Sequence, residues 1–376
     1  MNSLILKREL FQKYCTDILS AVDSNELSIL TETLELRTFN NTLVMSVTNR
    51  EYYAKVIIPI ENVIELKATV NANLFLRLVA QLSTPEIELS VTDSFLVVKG
   101  NGLYKLPLIF DGDSLLELPE ISINNVTATF ELDSEILLSI LNYNSKQLSI
   151  GTISKPVQKL YYVDGKGAVT FTSGACVNSF ELPENIRILL NGRLVKLFKL
   201  FKGKGVKFTL GYDNLTDDII QTKVRFESSD ISITAILSCD DTMLNSVPVE
   251  AIRGRASAYY PYTVNLSKDA LLKTISRLML FSGSASKELV SYSTFEFEKD
   301  KVTIYDSKKE NKEILNYNNE NSNIEETYKT IVDLAELKGV LESCSEQYVN
   351  INFGDTEALI LTRGHVVNII PEIHDL

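Results

Sequence analysis

One pattern constrains this chain more than any other. A strand-like run leads into a polar capping residue and then into an amphipathic helix, and the arrangement recurs at nearly even spacing. Asn71, Asp133, Asn191, Ser267 and Asp333 all carry a side-chain oxygen that can accept the free amides of a helix's first turn. Strand-like runs precede them at 69–70, 126–132, 186–190, 259–266 and 327–332, and helical spacing of apolar residues follows each cap. Residues 7–22 open the series, with Leu6, Leu10, Phe11, Tyr14, Ile18 and Leu19 at helical spacing. Glu336, three residues after Asp333, is placed for a capping box. Two or three short strands follow most helices, so the spacing of roughly 60 to 70 residues predicts six β-α-β-β units, a period too long for a solenoid. Paired units make three domains, 1–117, 126–245 and 258–376, with linkers at 111–125 and 240–258 that contain Pro119 and Pro248. The predicted class is α+β, each helix burying its apolar side on its own sheet.

Composition narrows the function. No apolar run approaches the roughly 18 residues that span a bilayer, and the first ten residues, with Lys7, Arg8 and Glu9, lack a signal-peptide core. The expectation is a soluble cytoplasmic protein with no membrane partner. Cys15, Cys176, Cys239 and Cys344 lie far apart without paired metal spacing, which fits a reducing compartment. His365 and His374 are the only histidines, poor material for a metal site or a triad, and no metal or other cofactor is expected. Gly203-Lys204-Gly205 lacks P-loop spacing, and two adjacent acids such as Asp240-Asp241 mark a loop, with no acid–base pair near a plausible nucleophile. An enzyme is not expected.

The net charge of -12 opposes nucleic acid in general, but a ligand feels the local field. Residues 191–207 carry no carboxylate. Wound as a helix, they place Leu194, Leu197, Phe198 and Phe201 on one side and Arg193, Lys196, Lys199 and Lys202 on the other. Helices about 10–12 Å thick line a hole wide enough for duplex DNA when there are about a dozen. One chain supplies six, and a two-fold dimer closes the circle. Diffuse phosphate attraction suits such a ring, because base readout would halt sliding. The competing reading is a β-rich structural assembly protein, such as a viral particle component; it accounts for the strands but not for the basic helix.

The residues resemble the bacterial-type DNA polymerase sliding clamp, the beta subunit family, over essentially the whole chain. In the first domain the resemblance lies in Leu27-Ser-Ile-Leu30, Leu43-Val-Met-Ser-Val-Thr-Asn49, the run from Thr69 to Leu82, Glu86-Ile-Glu-Leu89 and Leu96-Val-Val-Lys-Gly100. In the second, Thr170-Phe-Thr-Ser-Gly-Ala-Cys-Val177 is similar to the family's Thr-Asp-Gly-His-Arg-Leu turn. The ending Val366-Val-Asn-Ile-Ile-Pro-Glu372 is similar to its terminal Tyr-Val-Val-Met-Pro-Met. The Asn-rich, divergent sequence points to a phage or mobile-element version.

The resemblance implies three tandem clamp domains with helices lining the inner face of a ring and sheets outside. It implies a head-to-tail homodimer that encircles duplex DNA and is not an enzyme. It also implies a pocket between the second and third domains for short Gln- and Leu/Phe-containing peptides of the polymerase and clamp loader. By position that pocket is expected at Val157, Thr172, Gly174, Cys176, Val177, Val247, Ile369, Ile370 and Pro371, with Ser173, Ala175, Cys176 and Glu372 departing from the family's pattern. Family DNA-facing arginines of the first domain correspond to Ser24 and Asn73. DNA contact is therefore expected at Arg77, Arg193, Lys196, Lys199 and Lys202, with Gln147 as a further candidate. For the ring contact, the strand at 103–108, with Leu106 and Leu108, is expected to meet Leu280 and Phe281 of a second copy, Lys99 and Lys105 facing Glu296 or Glu298.

Overall fold

The computed structural model describes residues 3–23, 28–61, 64–150, 153–216, 219–237, 240–281, 292–318, 324–354 and 357–373. Ser24, Cys239 and His374 lie outside them. All five capping residues act as their chemistry requires. Asn71 accepts the Leu74 amide at 2.9 Å, Asp133 that of Glu135 at 2.9 Å and Asn191 that of Leu194 at 2.8 Å. Ser267 accepts the Ala270 amide at 3.4 Å and Asp333 that of Ala335 at 2.8 Å.

The chain forms two compact units, 1–135 with 196–238, and 136–195 with 239–376. In the first, an eight-stranded antiparallel sheet runs Asn125–Asp133, Gly205–Thr216, Ile219–Glu227, Ile231–Ile236, Tyr52–Pro59, Thr42–Thr48, Thr33–Phe39, Lys67–Asn71. A four-stranded sheet runs Leu4–Lys7, Glu86–Val91, Phe95–Lys99, Leu103–Pro107. The helices Arg8–Leu19 and Ala72–Gln81 pack together through Phe11 and Phe75, ring centroids 6.1 Å apart. Gln12 Nε2 donates to the Val79 and Leu82 carbonyls, each at 2.9 Å, and so ties the first helix to the end of the second.

In the second unit an eight-stranded sheet runs Arg187–Asn191, Leu160–Asp164, Gly167–Phe171, Ala175–Ser179, Val366–Pro371, Ala358–Arg363, Tyr348–Phe353, Tyr262–Ser267. A four-stranded sheet runs Lys312–Asn316, Lys301–Tyr305, Tyr292–Phe297, Tyr328–Asp333. The helices Lys268–Leu278 and Leu334–Glu342 bury Leu271, Ile275, Leu337 and Val340 against Phe295, Phe297 and Phe353. Each such side chain contributes roughly 1.5–3 kcal/mol.

Four features depart from the expected pattern. Tyr52–Pro59 is a strand where none is foreseen, and Gly205–Thr216 runs for 12 residues. The expected linker at 240–258 folds into two helices, Asp241–Ser246 and Val249–Ala256. The helix that opens at Ser134 does not stop near 144; it passes through a π-helical turn, Ile140–Asn144, and continues to Leu148. Among the described residues no helix is long and apolar enough to cross a membrane, and no group of His, Cys, Asp and Glu is set to hold a metal.

Candidate functional site

The basic stretch is helical, but its winding changes along its length. Gly192–Lys196 is α-helical and Leu197–Phe201 is a 3₁₀ helix. The apolar residues explain the change: Leu194, Val195, Leu197, Phe198, Leu200 and Phe201 are all buried, more than one α-helical stripe carries. Phe198 and Phe201 close on Phe226 at 5.0 and 6.4 Å, and Phe208 meets the same ring edge-on at 5.3 Å. In a 3₁₀ helix residues three apart eclipse, about 6 Å apart along the axis. Lys199 lies in this segment, Lys196 and Lys202 flank it three residues to either side, and all three are exposed. Among the described residues no carboxylate pairs with them. Gly203, at φ +70, turns the chain away, and Lys204 pairs with Asp230 at 2.7 Å. Burial alone would raise the Asp230 carboxyl, but the Lys204 and Ser228 hydrogen bonds outweigh it and hold the carboxyl below its usual range.

The other expected DNA contacts divide. Arg77 is exposed on Ala72–Gln81. Arg193 is half-buried and already engaged in an interaction. Gln147 is only 1% exposed and is not available to a duplex. The extra residue of the π turn accompanies this change of facing: Asn144 and Gln147 both point into the unit, where Gln147 Nε2 donates to Thr172 Oγ1 at 3.1 Å.

The expected peptide pocket lies wholly within the second unit. The strands Ala175–Ser179 and Val366–Pro371 pair with Ala175 opposite Ile369, Cys176 opposite Asn368 and Val177 opposite Val367. Because side chains alternate, Ala175, Val177, Val367 and Ile369 share one face with Val157, Val247 and Tyr260. Cys176 and Ile370 face the opposite way. Ile370 packs among Leu337, Val340 and Phe353, and the fully buried Cys176, its thiol pushed up to about 12 by burial, lies near Arg363 and Asn368. These two residues therefore leave the pocket. Val157, Thr172, Val177, Val247 and Ile369 are buried, each keeping 6–8% of its surface, and make up the floor of the expected pocket, with Pro371 half-exposed at its end.

Val247 reaches this floor because of the two unforeseen helices. Arg253 makes a bidentate ion pair with Asp164, at 2.7 and 2.6 Å, and holds the second helix over the sheet. Val249, Ile252 and Ala256 stand at helical spacing, a signal that the proline at 248 and the adjacent acids at 240 and 241 obscure.

The hairpin turn Thr172-Ser173-Gly174 borders the floor. The Thr172 amide donates to the Gly174 carbonyl at 2.7 Å, and Gln158 Nε2 donates to the Thr172 carbonyl at 3.0 Å. Ser173 Oγ donates to Glu336 Oε2 at 3.2 Å, and Glu336 also accepts from the Gly174 amide and from Gln147 Nε2 at 3.4 Å. Glu336 thus departs from the expected capping box: its carboxylate goes to the turn. Nothing in the local sequence announces this role.

The expected ring-contact residues also divide. Leu103–Pro107 is an edge strand, with Leu103 62% exposed and Tyr104 and Lys105 exposed beside it; Leu108 is half-exposed. Leu106 is buried in its own sheet's core. Leu280 and Phe281, at 81% and 51%, are open to solvent. Lys99 pairs with Glu88 at 2.9 Å, Glu296 with Lys329 at 2.7 Å and Glu298 with Lys301 at 3.4 Å. Those three charges are matched within their own sheets, which leaves Lys105 as the unmatched cation of the set among the described residues.

Solved structures with the same architecture identify the fold. The DNA polymerase III subunit beta of Pseudomonas aeruginosa superposes with a TM-score of 0.77 at 14% identity, covering 100% of both chains. The fold is that of the bacterial sliding clamp. The Caulobacter crescentus DNA polymerase sliding clamp matches at TM-score 0.75 and 15% identity, again over 100% of both chains. The Helicobacter pylori beta clamp bound to a DNA ligase peptide matches at TM-score 0.75 and 16% identity over the same full coverage. No family model and no curated protein sequence matches the chain. At such identity the clamp fold is retained while most side chains differ.

Proposed function

We propose that this chain is a DNA polymerase processivity factor without catalytic activity. Two copies close into a ring around duplex DNA, each built of three domains, 1–117, 126–245 and 258–376, with inner helices and outer sheets. The row Lys196, Lys199 and Lys202, with Arg77 and Arg193, attracts phosphates of any sequence. Polymerase and clamp loader dock short peptides on the floor formed by Val157, Thr172, Val177, Val247 and Ile369. The protein works in the cytoplasm, and the divergent sequence fits a phage or mobile-element source.

The observation that carries this reading is a clamp fold over the whole chain, with a row of exposed lysines that no carboxylate pairs among the described residues, on an acidic chain. The Helicobacter pylori clamp's bound DNA ligase peptide supports the docking role. A retention assay tests the reading. A ring stays on nicked circular DNA through gel filtration and runs off the same DNA once it is linearised; equal loss from both forms overturns it.

A further inference from the structure

The Thr172–Gly174 turn has a single backbone hydrogen bond of its own and depends on side chains from distant segments. Glu336 is the most distant of them, 163 residues from Ser173, and it satisfies both the Ser173 hydroxyl and the Gly174 amide. It is 4% exposed, and no cation among the described residues pairs with it. A buried carboxylate without a cation is costly. Its helix neighbours Leu334, Leu337 and Val340 are apolar and fully buried, so an apolar residue would fill the space more cheaply. Glu336 is thus better suited to holding the turn than to filling the core.

We infer that Glu336 is a positioning residue for the peptide floor. Through its contacts with Ser173 and Gly174 it fixes the rim that an incoming peptide meets. The inference rests on the pocket reading above. With Glu336 removed, the Gly174 amide and the Ser173 hydroxyl lose their acceptor, and the turn relaxes away from Val177 and Ile369.

The test is fluorescence anisotropy on the full chain, with a labelled five-residue peptide that begins with Gln and ends in Leu-Phe. Glu336→Ala lowers affinity about tenfold, the scale of losing hydrogen bonds to a charged group. Glu336→Gln keeps the size and one acceptor and loses about threefold. The Ser173→Ala, Glu336→Ala double variant binds no more weakly than Glu336→Ala alone, because both act through one contact. Binding by both Glu336 variants within about twofold of the parent, or full additivity in the double variant, overturns the inference. If Glu336→Ala does not fold, the isosteric Glu336→Gln decides. Failure of the unaltered chain to bind the peptide at all overturns the pocket reading itself, a result distinct from any variant's.

Discussion

Gly174 and Ile369 are in backbone contact: the Ile369 carbonyl oxygen occupies the space that a Cβ on Gly174 would take, with the Glu336 carboxylate on the same spot. The hairpin turn and the C-terminal strand meet there with no room for a methyl group. Gly174→Ala therefore forces one of them to move, at about 1–3 kcal/mol for overpacking. Denaturant unfolding measures this, and a midpoint equal to that of the parent means that the turn and the strand can part without cost.

The lysine row predicts a salt effect. Neutralising Lys196, Lys199 and Lys202 together reduces the slope of log affinity against log salt by about 0.9 for each phosphate that these lysines neutralise. Because all three are exposed and unpaired among the described residues, folding stability stays within about 0.5 kcal/mol. Binding to a short duplex at several salt concentrations checks the first statement and thermal unfolding the second. A slope unchanged in the triple variant removes the row from the DNA contact.

What the sequence reveals follows how local each cause is. Asn71, Asp133, Asn191, Ser267 and Asp333 are legible because a cap acts within three residues of itself. The alternation that separates Val177 from Cys176, and Ile369 from Ile370, is equally local, and strand period alone suffices to place them on opposite faces of the sheet. Gln147 is not legible. A π turn shifts the helix's facing, and nothing in Ile140–Asn144 announces it. Glu336 misleads for the opposite reason: it satisfies a local capping rule, yet its partner lies 163 residues away.

The exposed pair Leu280 and Phe281 gives the proposed ring contact its test. Large apolar side chains at 81% and 51% exposure gain by burial against a partner. Replacing both by alanine shifts the mass seen by light scattering at micromolar protein from dimer towards monomer. An unchanged dimer mass assigns the contact elsewhere, with the exposed edge residues Leu103 and Tyr104 next to be tested.

Acid exposes a second set of contacts. Asp213 pairs with the buried Lys223 and accepts the Asn124 amide at 2.8 Å, and Lys223 also donates to the Ser122 carbonyl at 3.0 Å. The Lys223 hydrogen bond, with the Asn124 amide, holds the Asp213 carboxyl below its ordinary value. A carboxyl lowered by folding binds fewer protons in the folded state, so its stabilisation is present above the ordinary value near 3.8 and is lost as pH falls through the folded one. Asp213→Asn therefore lowers the melting temperature at pH 7, and the gap to the parent narrows below about pH 4. A gap that stays constant into acid assigns the loss to packing.

Glu336 titrates in the opposite sense, and its stability effect separates from its proposed work on the rim. Burial raises its carboxyl, and nearby Asp333 adds to the rise, against hydrogen bonds from Gln147, Ser173 and the Gly174 amide. A group raised by folding holds its proton longer in the folded state. Stability therefore falls as pH climbs from the ordinary value near 4.5 through the folded one, and the penalty stays in force above it. Glu336→Gln removes the titration. Its melting temperature relative to the parent rises across that interval and levels off at neutral pH, even as peptide affinity drops. Gain in stability with loss of binding is the pattern of a strained functional group. Melting curves from pH 4 to 8 on both proteins check it, and a difference that does not change with pH means that Glu336 ionises as freely in the fold as outside it.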